Sequence, residues 1–228
     1  MAMHILVTGE TSGFIALQKL IPPTHIVEWV NFQDLYHQEP GSWNLLIDTT
    51  LDDNPERLDL YSTYSNRPVM GRAVKHSLAA MASKYGKNIE CALMGINCLP
   101  GFDFRPHLEI SLFQSTETDT LENIMSLLGL PYTLVADRPG MVSPRIITMI
   151  INEAAFLLQE EGATQKGIDT AMKLGTNYPF GPLEWADTIG VGTVVEILDA
   201  IYEDTHDDRY KVAPLLRRMA LIQEKFYS

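Results

Sequence analysis

The sequence predicts an α/β half followed by an all-helical half, and two patterns with one break between them carry that reading. Up to about Asp137, short apolar runs alternate with helical spacing, whereas beyond Pro139 apolar residues recur every three or four positions over longer stretches. Between them stands Arg138-Pro139-Gly140, where proline fixes φ and glycine permits a turn. The predicted domains are residues 1–138 and 139–228.

His4-Ile5-Leu6-Val7 opens the first half as a strand, and Thr8-Gly9-Glu10-Thr11-Ser12-Gly13-Phe14 follows as a glycine turn entering an apolar helix. The runs His25–Val30, Leu45–Asp48, Val69-Met70, Ala92–Met94 and Thr133–Val135 read as further strands. Strands separated by helices favour a parallel sheet. Only about a dozen residues separate Asn31 from Leu45, which at ~1.5 Å each make a short helix at most. In the second half Ser143-Pro144 reads as an N-cap plus the first helical residue. Ile146, Ile147, Ile150, Ile151, Ala154 and Leu158 form one apolar stripe, and Val194, Ile197, Leu198 and Ile201 another. The run Tyr178-Pro179-Phe180-Gly181-Pro182-Leu183-Glu184-Trp185-Ala186-Asp187 reads as a rigid elbow between two helices, because Pro-x-Gly-Pro places the second at a set angle.

Composition excludes several classes. A net charge of -12 without a compensating basic run opposes nucleic acid and anionic membrane as partners. Cys91 and Cys98 lack metal-ligand spacing, so neither a metal site nor a disulfide framework is expected. No stretch approaches the ~18 apolar residues of a membrane span, and the opening residues lack a basic region and cleavage site. The expected location is cytoplasmic.

A strand, a glycine turn and a helix are the parts of a dinucleotide-binding crossover, and on that ground the first half reads as a shortened Rossmann-like domain. Its fingerprint is altered. With Gly9 as the first glycine, Thr11 stands where backbone must approach a pyrophosphate and Phe14 where helix and strand pack closely; Gly13 offers a shifted turn. The second strand ends on Asn31 rather than on a carboxylate that would hold ribose hydroxyls. Gly9, Thr11, Gly13 and Asn31 are therefore the candidate cofactor contacts, and NAD binding is expected to be weak or absent.

The elbow, together with Ile168-Asp169-Thr170-Ala171-Met172-Lys173-Leu174-Gly175 before it and Ala213-Pro214-Leu215-Leu216-Arg217-Arg218-Met219 after it, resembles the C-terminal domain of the NAD-dependent 3-hydroxyacyl-CoA dehydrogenases over residues 138–220. The resemblance implies an NAD-dependent oxidoreductase of 3-hydroxyacyl-CoA in fatty-acid metabolism, an acyl-CoA ligand, and a homodimer built through the helical domain, with the faces of Ile146, Ile150, Ile197 and Ile201 as its motivation. The short Asn31–Leu45 interval implies that the family's helical hairpin, an acyl-CoA-binding element, is missing.

Catalysis in the family rests on a His–Glu pair in which the imidazole takes the hydroxyl proton as hydride leaves. The matching run here is Gly95-Ile96-Asn97-Cys98-Leu99-Pro100-Gly101, followed by the strand Pro106-His107-Leu108-Glu109-Ile110. Glu109 keeps the carboxylate position, while Asn97 stands at the His position and cannot titrate near neutral pH. The same comparison puts Val74 and Pro144 at positions where the family has polar side chains, and retains Arg145. His76 and His107 are the nearby residues able to replace the base. The run Val7-Thr8-Gly9-Glu10-Thr11-Ser12-Gly13-Phe14-Ile15 also resembles the Thr-Gly-x-x-Gly-Phe-Ile-Gly opening of short-chain dehydrogenase/epimerases, with one residue more between its glycines, but none of the nine tyrosines has a Lys four residues later. The expectation is a 3-hydroxyacyl-CoA dehydrogenase-like protein of lowered activity; the alternative is a non-catalytic dimeric binding or assembly protein on the same scaffold.

Overall fold

The computed structural model describes residues 2–39, 41–86, 88–102 and 107–227, which divide into two compact units, Met1–Met141 and Val142–Ser228. The division falls after Met141 rather than after Arg138.

The first unit is α/β. In chain order it contains β1 (His4–Thr8), α1 (Thr11–Leu20), β2 (Ile26–Trp29), β3 (Leu45–Asp48), α2 (Leu58–Tyr61), β4 (Pro68–Arg72), α3 (Leu78–Tyr85), β5 (Ala92–Ile96), β6 (Leu108–Leu112), α4 (Thr118–Leu128) and β7 (Tyr132–Leu134). The seven strands form one sheet in the order β2-β1-β3-β4-β5-β6-β7, parallel throughout except where β5 meets β6. All four residues of β3 are buried, as a strand covered on both faces requires. Alternation along the strands supplies two cores. Ile5, Val7, Ile47 and Met94 face Leu17 of α1 and Leu121, Ile124 and Met125 of α4. Leu6, Leu46, Val69 and Leu93 face Leu58 and Tyr61 of α2 and Leu78 and Met81 of α3.

Between β2 and β3 the described residues hold one 3-10 helix, Phe32–His37, in agreement with the short interval in the sequence. Strand β6 runs through Leu112, past the expected end at Ile110, and Pro106 lies outside the described residues. Because β1 lies between β2 and β3, the chain crosses to one side of β1 and then to the other. Their C-terminal ends therefore form a topological switch point, the usual crevice of an open α/β sheet.

The second unit is helical: α5 (Ser143–Gln159), α6 (Gln165–Thr176), α7 (Pro182–Ile189), α8 (Val191–Thr205) and α9 (Pro214–Ile222). Helix α5 begins one residue earlier than the sequence suggests. Gly140 and Met141 take positive φ (82° and 44°) and turn the chain, so Val142 occupies the cap position and Ser143 is already helical. Pro144 then lies in the first turn, where its missing N–H has no intrahelical partner to lose.

The two apolar stripes have different fates. In α8, Val194, Ile197, Leu198 and Ile201 are completely buried, so Ile197 and Ile201 form internal core and not an outward face. In α5, Ile147, Ile151, Ala154 and Ala155 are buried, whereas Ile146 is 52% exposed and Ile150 half-buried.

At the elbow, Asn177 ends α6 in the left-handed conformation and Gly181 caps α7 ahead of Pro182. Its rigidity has a second source that proline and glycine do not reveal. The buried Asp169 carboxylate on α6 accepts the Leu183 N–H at 2.8 Å and the Glu184 N–H at 3.1 Å, capping α7 from its neighbour. Glu184 in turn accepts the Gly181 N–H at 3.0 Å and pairs with Lys173 at 2.7 Å, which holds its carboxyl below the ordinary value.

A Cβ at Gly181 would come within 2.2 Å of the Asp169 Cβ, whereas one at Gly175 meets nothing within 4 Å. Gly181→Ala should therefore destabilise the protein by about 1–3 kcal/mol through displacement of that cap. Gly175→Ala should leave stability unchanged or raise it by up to about 1 kcal/mol. Urea midpoints of the two variants provide the comparison, and equal midpoints would contradict the packing described.

Candidate functional site

At the switch point lies a cleft of about 830 Å³ whose lining includes Gly9, Trp29, Asn31, Phe32, Thr50 and Arg57. Gly9 adopts φ 106°, a conformation that favours glycine. A Cβ there would meet Thr49 Oγ1 at 2.4 Å and Thr50 Oγ1 at 2.9 Å, and a Cβ on Gly13 would meet Thr49 Cβ at 2.9 Å. Both glycines thus accommodate the threonines that follow β3. Thr49 Oγ1 completes the join by donating to Thr8 O and accepting from Glu10 N, each at 3.2 Å.

Among the expected cofactor residues, Gly9 and Asn31 line the cleft, while Thr11 and Gly13 belong to the first turn of α1 and are not part of its lining. These residues do not fit a pyrophosphate at the glycine turn. The Cβ position at Gly9 is taken by Thr49 and Thr50, and the N-cap of α1 is Glu10, whose carboxylate would repel a phosphate from the helix N-terminus. Trp29 also lies at the turn, its indole N–H donating to Gly9 O at 3.3 Å, and no carboxylate follows it at the end of β2.

One buried group here was not singled out from sequence. Asp48, fully buried at the end of β3, accepts two bonds from Arg57 Nη1 at 3.1 and 3.0 Å, one from Tyr61 Oη at 2.7 Å, and two from Thr50. Burial first, and then the Asp48 charge, pushes the Tyr61 phenol well up, so it remains a donor. The signal was an acid closing the apolar run Leu45-Leu46-Ile47-Asp48.

A second set of carboxylates fixes the segment after β4. Asp52 accepts the Val74 and Lys75 N–H groups at 3.0 Å each and pairs with Arg72 Nε at 2.5 Å, while Asp53 pairs with Arg72 and Lys75. Val74 is completely buried; its backbone is bonded at both ends, with its carbonyl accepting Gly140 N–H at 2.6 Å, and its side chain is an isopropyl group.

The antiparallel join of β5 and β6 brings Asn97 and Glu109 together. Asn97 N donates to Glu109 O at 3.1 Å, directly beyond the Ile96–Ile110 pair. Glu109 is buried. Asn97 is half-buried, and its side-chain oxygen accepts the Leu99 N–H at 3.3 Å. The neighbouring Cys98 thiol lies 3.9 Å from Thr49 O and is pushed up to about 12, chiefly by burial, which removes it as a nucleophile near neutrality. His76 is exposed; His107, also exposed, has Nε2 2.7 Å from Thr133 Oγ1. Pro144 belongs to the helical unit, as does Arg145, whose Nη1 donates to Tyr210 Oη at 3.2 Å. Among the described residues no group of three or more His, Cys, Asp or Glu side chains is arranged to hold a metal ion, and no helix is long and apolar enough to cross a membrane.

Residues 140–225 match the family model described as 3-hydroxyacyl-CoA dehydrogenase, C-terminal domain. The helical unit is thus a 3-hydroxyacyl-CoA dehydrogenase C-terminal domain. The 3-hydroxyadipyl-CoA dehydrogenase of Escherichia coli is 42% identical over 94 residues, covering 41% of this chain and 20% of the relative. A probable 3-hydroxybutyryl-CoA dehydrogenase of Bacillus subtilis is 38% identical over 107 residues, covering 46% and 37%. The match thus spans well under half the length of these curated relatives. Two solved structures share the fold over 98% of the chain and 95% of their own: M. tuberculosis FadB2, with a TM-score of 0.73 and 16% identity, and the (S)-3-hydroxybutyryl-CoA dehydrogenase PaaH1 of Ralstonia eutropha, with 0.69 and 19%. The α/β unit followed by a helical unit is thereby a fold shared with these structures.

The Asp53 carboxyl is raised by burial, but bonds and charge from Lys75 and Arg72 outweigh that effect and leave it below its ordinary value. A depressed carboxyl contributes stability that is present above its unfolded value of about 3.9 and disappears as pH falls through the folded value. Lys75→Met should cost about 1 kcal/mol at pH 6, a modest figure because Asp53 stays partly open to water. That difference should shrink in urea titrations taken from pH 6 to below pH 4. A constant difference across this range would exclude the pair as its source.

Proposed function

We propose that this protein is a 3-hydroxyacyl-CoA dehydrogenase homologue that keeps the scaffold but not an effective hydride-transfer site, and that it acts as a dimeric acyl-CoA-class binding protein with residual turnover at most. One observation carries the reading: the residue joined to Glu109 across β5 and β6 is Asn97, with its amide oxygen already engaged by Leu99 N–H. Oxidation of a 3-hydroxyl needs a group that accepts the hydroxyl proton as hydride departs, and a carboxamide does not accept one near neutral pH. The buried side chains of Val74 and Pro144, at positions assigned polar contacts by the family resemblance, offer no hydrogen bond. The Glu10 carboxylate at the N-cap of α1 supports weak or absent NAD binding.

Turnover of acetoacetyl-CoA, followed as NADH oxidation at 340 nm, should lie at least about a hundredfold below that of a complete site, because a positioned base contributes about 10²–10⁴-fold. Asn97→His alone should not restore it, since residues that act as a unit are strongly non-additive; the triple variant with Val74→Ser and Pro144→Asn is the comparison. Rapid turnover by the unmodified protein would overturn the proposal and direct attention to His76 and His107. Calorimetry should show no micromolar NADH binding, and Glu10→Gln combined with Thr49→Ala should tighten whatever binding exists.

The dimer rests on the helical unit's exposed apolar side chains: Ile146 at 52%, Leu174 at 83%, Leu221 at 79% and Ile222 at 55%. Light scattering at micromolar concentration should give twice the 25.6 kDa chain mass. A single-chain mass would remove the dimer from the proposal without touching the catalytic reading.

A further inference from the structure

Beyond α9 the chain doubles back onto the elbow. Gln223 takes the left-handed conformation at φ 53°, Glu224 N donates to Met219 O at 3.0 Å, and the exposed Gln223, Glu224 and Lys225 lead to Phe226 and Tyr227. This pair is held as a bound peptide would be. The Asp187 carboxylate on α7 accepts two consecutive N–H groups, Phe226 at 2.9 Å and Tyr227 at 2.7 Å. From α6, Gln165 Nε2 donates to Phe226 O at 2.6 Å, and Asp169 accepts the Tyr227 hydroxyl at 2.6 Å. The rings pack on a cluster of Ala154, Ile168 and Leu183.

We propose that this face of the helical unit is a docking groove for an extended aromatic pair, with Phe226–Tyr227 as its resident occupant, and that the docked pair is a strap holding the α6–α7 elbow closed. Three features support the assignment. Main-chain groups are read together with the side chains, the division of labour found in peptide recognition. The anchors alternate between helices, with Gln165 and Asp169 on α6 and Asp187 on α7, so occupancy ties one to the other. Asp169 serves both structures: it caps α7 through Leu183 and Glu184 and completes its acceptor set with Tyr227. Burial, followed by the bond to Asp169, pushes the Tyr227 phenol up to about 12, which keeps it a donor throughout the neutral range.

A tether of three residues presents the pair to its groove at an effective concentration of about millimolar or more, so the resident strap excludes the same sequence offered from outside. Removal of residues 226–228 should open the groove. The probe is an acetylated and amidated fluorescent peptide, Glu-Lys-Phe-Tyr-Ser, copied from residues 224–228. It should bind the shortened chain saturably and one to one, and the full chain at least about tenfold more weakly. Replacing tyrosine by phenylalanine in the peptide, or Asp187→Ala in the shortened chain, should weaken binding by about tenfold or more, the usual effect of losing a hydrogen bond to a charged acceptor. Failure of a folded shortened chain to bind the peptide, or equal binding by both chains, would overturn the docking groove.

Hydrogen exchange in the full chain tests the strap even where the shortened chain does not fold. Exchange at the Leu183 and Glu184 amides should accelerate several-fold in Tyr227→Phe and Asp187→Asn, since the cap then loses its closing contact. Unchanged rates at both amides in both variants would refute the hold on the elbow. Neither outcome depends on acyl-CoA or NADH, so the groove and the catalytic reading stand or fall separately.

Discussion

A buried or half-buried carboxylate that accepts two consecutive backbone N–H groups from a distant segment is the interaction on which this structure depends. Asp52 takes Val74 and Lys75, Asp137 takes Leu78 and Ala79, Asp169 takes Leu183 and Glu184, and Asp187 takes Phe226 and Tyr227. Each joins parts of the chain that helix or sheet bonds do not connect, and each satisfies N–H groups that would otherwise lie unpaired at a helix start or in a loop. Burial raises the Asp137 carboxyl while its two N–H partners act in the opposite sense. Part of the acidity behind a net charge of -12 is therefore architectural.

These joins govern the candidate site. Asp52 determines where Val74 lies, and the segment carrying it ends at the N-terminus of α3, which Asp137 caps. The end of β3 is equally constrained, because Asp48 gathers Arg57, Tyr61 and Thr50 while Thr49 fits against two glycines. A glycine turn beside a helix N-terminus is ordinarily an anion cradle. Here the glycines admit the threonine side chains that follow β3, and the carboxylate at the helix cap belongs to the protein itself. The topology of a dinucleotide fold is thus retained with a carboxylate at the point where that fold ordinarily receives a phosphate.

The relation of Asn97 to Glu109 is likewise a consequence of sheet geometry. An antiparallel join between β5 and β6 sets the two residues side by side, and the Asn97 amide closes a local turn with Leu99. Fold likeness to dehydrogenases extends over both units, while relatives at 42% and 38% identity match less than half the chain.

The sequence by itself determined the strand and helix succession, the short connection before β3, the elbow, and the domain type of residues 140–225. These are properties of short windows, where periodicity, proline and glycine act directly on the backbone. The start of α5 differed by one residue because positive φ at Met141 supplied a turn that residue type did not advertise. Only the tertiary structure decided which apolar stripe was core: Ile197 and Ile201 show the same spacing as a surface face, but neighbouring helices cover them completely. It alone revealed that Gly9 and Gly13 make room for Thr49 and that Asp169 caps a helix in another segment, since such contacts join residues 14 to 40 positions apart and leave no periodic trace in the chain.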